Sequence, residues 1–288
     1  MARELKPITI VPHYMRLHEW IALEEGYFER EGLAPTTRDD YMIDALTSPH
    51  ADKGRGDQID YMEGSACTSS ACEWGVIRNA GAGKGKVLTS LYSVAPYAIY
   101  TRSDANIQSL TELRGRRVGV MLRSGTHFTT LKALDLCVPD GSVDVIGTGG
   151  AGRRIQALLD GEIDAATLLD PERSIAEQMG LRRLASGEFR VLFYVSNDMP
   201  QELITPFVKA MRAADQALRG NPARYMRLWD KNMRPEMRGK YDYANFGRGE
   251  LLFFEEYPQS LFDEGMTYAK NRGLADDVIN EDYRALSI

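Results

Sequence analysis

The feature that most constrains the fold is a change of pattern along the chain. Up to about residue 200, short β-like runs alternate with helical stretches; beyond Pro200 the β signal is gone. The β-like runs are Pro7–Pro12, Lys86–Tyr92, Tyr97–Thr101, Arg117–Leu122, Asp144–Ile146, Ala165–Leu169 and Arg190–Val195, each bounded by Gly, Pro, Ser or Asp. Between them lie helical stretches at Met15–Glu25, Ser70–Arg78, Thr126–Leu136, Arg153–Leu159 and Pro171–Met179. Such alternation predicts an α/β fold with open, mostly parallel sheets covered by helices. After Pro200 the spacing of Phe207, Met211, Ala214 and Leu218 places apolar groups on one helix face, so the last third is expected to be a helical wrap. The segments near Tyr97 and Tyr194 flank a central block that itself holds three βα units, which makes them candidate crossovers between two lobes. The expected division is residues 1–98 and 197–288 in a discontinuous first lobe, with 99–196 in the second.

Composition narrows the function classes. The 288 residues are 43% hydrophobic and 26% charged, enough apolar material for a sizeable core. The net charge of -6 supplies no basic field for phosphates, and the short runs Arg114–Arg117 and Arg182–Arg183 carry no interleaved aromatics, so nucleic acid is not an expected partner. No apolar run is long enough to span a bilayer. The start, Met-Ala-Arg-Glu-Leu-Lys-Pro, leads straight into Ile8-Thr9-Ile10-Val11 with no apolar segment and no small-residue cleavage site. Three cysteines do not suggest a disulfide framework. Both features point to the cytoplasm, or to the periplasm if a leader has been removed.

Three stretches together resemble the substrate-binding proteins for nitrate, sulfonates and taurine and the related thiamine-pyrimidine precursor synthase-like proteins. They are Trp20-Ile-Ala-Leu-Glu-Glu-Gly-Tyr-Phe-Glu-Arg-Glu-Gly-Leu33, Ser109-Leu-Thr-Glu-Leu-Arg-Gly-Arg-Arg-Val-Gly-Val120 and Ala157-Leu-Leu-Asp-Gly-Glu-Ile-Asp-Ala-Ala166. Asn271-Arg-Gly-Leu274 is compatible with the terminal helices of that family. The resemblance implies a two-lobed, type II periplasmic-binding-protein-like fold, with a small-molecule ligand held in the cleft between the lobes. It also implies two roles: an enzyme on this scaffold, of lyase, decarboxylase or desulfinase type, or the substrate-binding component of an importer. A permease partner follows only if the protein is exported. The chain departs from the family in a longer, more polar segment from Tyr41 to Asp60, a candidate lid or homodimer contact, and in cysteines within the loop Gly64–Cys72.

Within that frame the candidate site residues follow from the ends of strands. Ser124-Gly125-Thr126 follows a strand and opens a helix, where unpaired amides and the helix dipole favour an anion; His127 adds a donor, and Ser124 could equally be only a cap. His13 and Tyr14 occupy the first strand-to-helix turn, so His13 is a candidate acid–base group and Tyr14 a stacking or hydrogen-bonding contact. Cys67, read as lying near a helix start, is the candidate nucleophile, with Gly64 and Ser65 beside it as ligand contacts. Cys72, a turn further on, reads as packed. Tyr97 on a crossover, and Asp170 and Glu172 at the end of Ala165–Leu169, complete the expected lining; Asp170 is also a natural N-cap by type. Gly147-Thr-Gly-Gly-Ala-Gly152 matches a dinucleotide-binding pattern, but its strand is short and sits mid-lobe, so no cofactor is expected. His13, His18, His50 and Cys67 lack the compact spacings of a metal site, and no metal is expected.

Overall fold

The computed structural model describes residues 4–37, 67–139, 141–233, 237–273 and 275–288. The Tyr41–Asp60 segment, Gly64 and Ser65 lie outside the described residues, as does the side chain of Cys67.

Among the described residues, nine strands form one sheet: β1 (Lys6–Ile10), β2 (Leu33–Thr37), β3 (Cys67–Cys72), β4 (Lys86–Thr101), β5 (Arg117–Val120), β6 (Asp144–Gly147), β7 (Ala165–Leu169), β8 (Arg182–Val195) and β9 (Leu251–Phe253). Their order is β2-β1-β3-β8-β4-β7-β5-β6, with β9 on β4. β1, β2 and β3 pair in parallel, as do β5, β6 and β7. The centre is different. β8 is antiparallel to β3 and β4, and β4 is antiparallel to β7. The two runs expected around Tyr97 are therefore one strand, continuous through Pro96, which faces Glu188 of β8. β4 and β8 pair along their length and carry the chain between two parallel clusters, which is the two-lobed architecture with paired crossovers.

Local chemistry explains the elements. β7 reads Ala-Ala-Thr-Leu-Leu and is buried at every position, as a strand covered on both faces must be. β2 contains Pro35 and occupies the sheet's edge, where a missing backbone donor is tolerated. β3 reads Cys-Thr-Ser-Ser-Ala-Cys and lacks an apolar alternation, yet it is buried between β1 and β8. The helix expected at Ser70–Arg78 accordingly begins later, as α3 (Glu73–Gly81), after α1 (His18–Glu24) and α2 (Tyr27–Arg30).

The next helices are α4 (Gly125–Cys137), α5 (Ala151–Leu159) and α6 (Glu172–Gln178). The wrap comprises α7 (Ile204–Gly220), α8 (Pro222–Tyr225), α9 (Gln259–Asn271) and α10 (Tyr283–Leu286), with the short strand β9 inserted. In α7, Phe207, Ala210, Met211, Ala214 and Leu218 are buried at helical spacing, against α1 and α2. The chain ends on β4, where the Ile288 amide donates to Val87 and the Thr89 amide donates to Ile288.

Candidate functional site

Two strand-to-helix turns meet between the lobes. In one, β3 ends at Cys72, the N-cap residue of α3; in the other, β5 ends at Val120 and α4 begins at Gly125 behind the N-cap residue Ser124. The helix starts approach so closely that a Cβ on Gly125 would lie 2.7 Å from Phe189 Cε2 and 3.3 Å from Cys72 Cβ. Only glycine fits this closed arrangement. Around the contact is a cavity of about 10 Å³, lined by Tyr14, Met15, Cys72, Met121, Ser124, Gly125, Thr126, Arg154, Leu169 and Phe189, room for roughly one water molecule.

Positive charge faces this cavity from α4 and from α5. Neither helix start has a side-chain cap; α4 has no acid in its first turn, whereas α3 carries the buried Glu73 there, which accepts from Arg190 Nε at 2.6 Å. Ser124 does not spend its hydroxyl as a cap: Oγ donates to the Met121 carbonyl at 2.7 Å, while the Met121 amide donates to Thr126 Oγ1 at 3.0 Å. The side chains thus fasten the turn and leave the first amides of α4 to the cavity side of the helix. Arg154, 1% exposed on α5, adds a full charge. Its Nε donates to Thr167 O at 3.0 Å and Nη1 to Gly149 O at 2.8 Å, which fixes the guanidinium where it lines the cavity. The glycine run Gly147–Gly152 therefore forms the turn that receives Arg154.

The first strand-to-helix turn is held by a buried ionic cluster. Arg16 Nη1 donates to Glu250 Oε2 at 2.6 Å, Nε donates to Glu19 at 2.8 and 2.9 Å, and Nη2 donates to Ser70 Oγ at 2.9 Å. Ser93 Oγ donates to Glu250 Oε2 at 2.7 Å, and His13 Nδ1 lies 2.7 Å from Glu250 Oε1. Burial alone would raise the Glu250 pKa, but His13, Arg16 and the Ser93 bond overcome it and hold the carboxyl well below its ordinary range. Gly249, at φ 74°, packs against the turn so tightly that a Cβ would lie 2.3 Å from Met15 O. The C-terminal wrap thereby presses Tyr14 and Met15 into place.

The structure gathers Tyr14, Ser124, Gly125 and Thr126 around one cavity and, among the described residues, puts the other expected side chains elsewhere. His13 is buried on Glu250 and does not line it. The backbone of Cys67 opens strand β3 beside Thr9, so the helix-start position expected of it belongs to Cys72. Tyr97 faces a neighbouring groove, its ring against Gly187, and burial raises its pKa. His127 Nδ1 accepts from the Arg123 amide at 3.2 Å, and burial together with Arg272 and Arg123 lowers its pKa. Asp170 is not the cap of α6, a position taken by Pro171; it accepts from Arg173 Nη2 at 3.1 Å and Ser174 Oγ at 3.2 Å, and burial raises its pKa. Glu172, at the start of α6, is buried away from the cavity. Met15, Cys72, Met121, Arg154, Leu169 and Phe189 were not expected. For Arg154 the signal was available, as a lone arginine on the apolar face of a helix behind a glycine turn. Among the described residues, no group of three or more His, Cys, Asp or Glu is placed to hold a metal, and no helix is long and apolar enough to cross a membrane.

Paired crossover strands, two parallel clusters and a cavity lined from both define the periplasmic-binding-protein fold. The chain belongs to the NMT1/THI5-like family, whose model matches residues 78–224. Among solved structures it is similar to the periplasmic aliphatic sulphonate binding protein SsuA from Escherichia coli, at 17% identity over 98% of this chain and 91% of that one, with a TM-score of 0.65. It is also similar to the alkanesulfonate-binding protein SsuA from Xanthomonas axonopodis pv. citri bound to MOPS, at 14% identity over 99% and 98%, TM-score 0.66. The desulfurization enzyme DszB has the same fold, at 14% identity over 96% and 95%, TM-score 0.63. No curated protein matches the chain in sequence.

Proposed function

We propose that this protein binds a small organic anion between its lobes. The observation that carries the reading is the convergence of two uncapped helix starts and the buried Arg154 on one cavity. Helix starts concentrate partial positive charge and unpaired amides, and a guanidinium is the side-chain group best suited to a carboxylate, phosphate or sulfonate. The cavity volume requires the lobes to part for entry and close afterwards. Residues 1–98 with 197–288 form one moving part and 99–196 the other. The sulfonates bound by the SsuA proteins and MOPS fall in the same ligand class.

Matched charged and neutral probes test this reading. Benzenesulfonate and benzoate are expected to raise the melting temperature and to slow iodoacetamide alkylation of Cys72. Benzenesulfonamide and benzamide should do neither, because stabilisation follows binding to the folded state. Equal effects from both members of each pair would remove the anion from the proposal.

A second reading is an enzyme of lyase or desulfinase type in the cytoplasm, as opposed to an importer's exported binding component. It is favoured by a thiol in the cavity: Cys72 is buried at the start of α3, where the dipole favours thiolate. As first framed, this reading rests on Cys67 as nucleophile and His13 as base; Cys72 is the alternative the geometry supplies. The similarity in fold to DszB, at 14% identity, is compatible with it and decides nothing about chemistry.

A further inference from the structure

Along α4, Phe128, Lys132 and Asp135 fall at i, i+4 and i+7, one stripe of the helix. The helix packs on β5, β6 and β7, and every residue of the stripe meets an element outside that cluster. Phe128 stacks on Trp74 of α3 with centroids 4.7 Å apart and lies 6.1 Å from the Tyr268 ring of α9. Lys132 Nζ stands 5.2 Å from the centroid of Trp74 and 4.9 Å from that of Tyr268. Asp135 accepts an ion pair from Arg272. No backbone group takes part in these contacts. The tie between α6 and the wrap is of another kind, since Gln178 and Asp242 exchange side-chain and backbone bonds at 2.9 and 3.2 Å, and the Gly247 amide donates to Ser174 Oγ at 3.3 Å. Next to the stripe runs a groove of about 420 Å³ that includes Trp74, Lys132 and Tyr97 and shares Phe189 with the cavity.

We propose that the Phe128–Lys132–Asp135 stripe is an interlobe clasp and that the groove beside it is the ligand's way in when the clasp releases. The same rigid helix presents Ser124–Thr126 to the cavity and the clasp to Trp74, Tyr268 and Arg272. Ligand and clasp therefore stabilise one closed arrangement, and the clasp sets the open fraction without touching the ligand. The inference rests on the cavity being the ligand site, and not on the ligand's charge.

The reporter is Cys72, which lies in the cavity and is reached only when it opens. Alkylation by iodoacetamide is followed at the Cys72 peptide by mass spectrometry, in the parent and in Lys132→Met, which keeps most of the stem and loses the charge. The expected result is an increase in rate of about tenfold, in line with loss of a part-desolvated cation–π contact to two rings, with cooperative unfolding retained. Arg272→Gln, at the exposed end of the stripe, is expected to act in the same direction more weakly, and it decides alone if Lys132→Met does not fold. Unchanged Cys72 rates in the folded variants would overturn the clasp. Failure of the anion reading looks different: benzenesulfonate would leave the parent's rate unaltered while the clasp variants still react fast.

Discussion

Replacing Glu250 with alanine is expected to cost about 3–5 kcal/mol of stability, the range for removing one partner of a buried ion pair. Arg16 would keep Glu19 but lose its second carboxylate, His13 would lose the carboxylate beside it, and Ser93 would lose its closer acceptor. The loss would be felt at the binding site, because Glu250 adjoins the Met15 contact of Gly249 and the cluster fastens the turn that carries Tyr14. The pH dependence has a definite sign. The folded-state pKa of Glu250 is depressed, so its stabilisation is complete above the ordinary carboxylate range and is lost as pH falls below it. Urea denaturation of the parent from neutral to acid pH should show that decline, and Glu250→Gln should start less stable and decline less. Equal slopes in the two proteins would show that Glu250 is not the group whose protonation weakens the fold.

A change of one methyl group should separate closure from folding. Gly125→Ala adds a Cβ that meets Cys72 across the lobe interface at 3.3 Å and Phe189 of its own lobe at 2.7 Å, an overpacking that costs roughly 1–3 kcal/mol in the closed form. In the open form the Cys72 contact is gone and only Phe189 must shift, a cost partly offset because alanine is the better helix former by up to about 1 kcal/mol. The melting temperature should therefore fall only slightly, while the affinity for benzenesulfonate falls by up to roughly tenfold. A large fall in both together would mean that the contact is part of the general core and not a closing surface.

Much of the fold was legible because the strands that build it are apolar and well bounded. β7 was read at its full span, and β1, β5 and β6 nearly so. The strands missed or shortened have sequences that hide them. Pro35 disguised β2, a serine- and threonine-rich composition disguised β3, and the charged first half of β8, Arg182 to Arg190, reads as loop until it is paired with β4. The shift of the helix start from Ser70 to Glu73 puts Cys72 at that start, while the backbone of Cys67 opens β3. The site was legible where backbone position alone determines it, at Ser124, Gly125 and Thr126. Arg154 and Phe189 enter the cavity from elements distant in sequence; His13 is drawn out of it by Glu250, equally distant, and Asp170 by Arg173 and Ser174 of the helix that follows it, into buried pairs.

The most direct test of the central claim is native mass spectrometry of the protein purified from its own host, beside Arg154→Gln prepared the same way. The account predicts an anionic small molecule released from the parent, rebinding to fresh protein, and absent or greatly diminished in the variant. A neutral or cationic molecule, or an anion retained equally by both proteins, would contradict it.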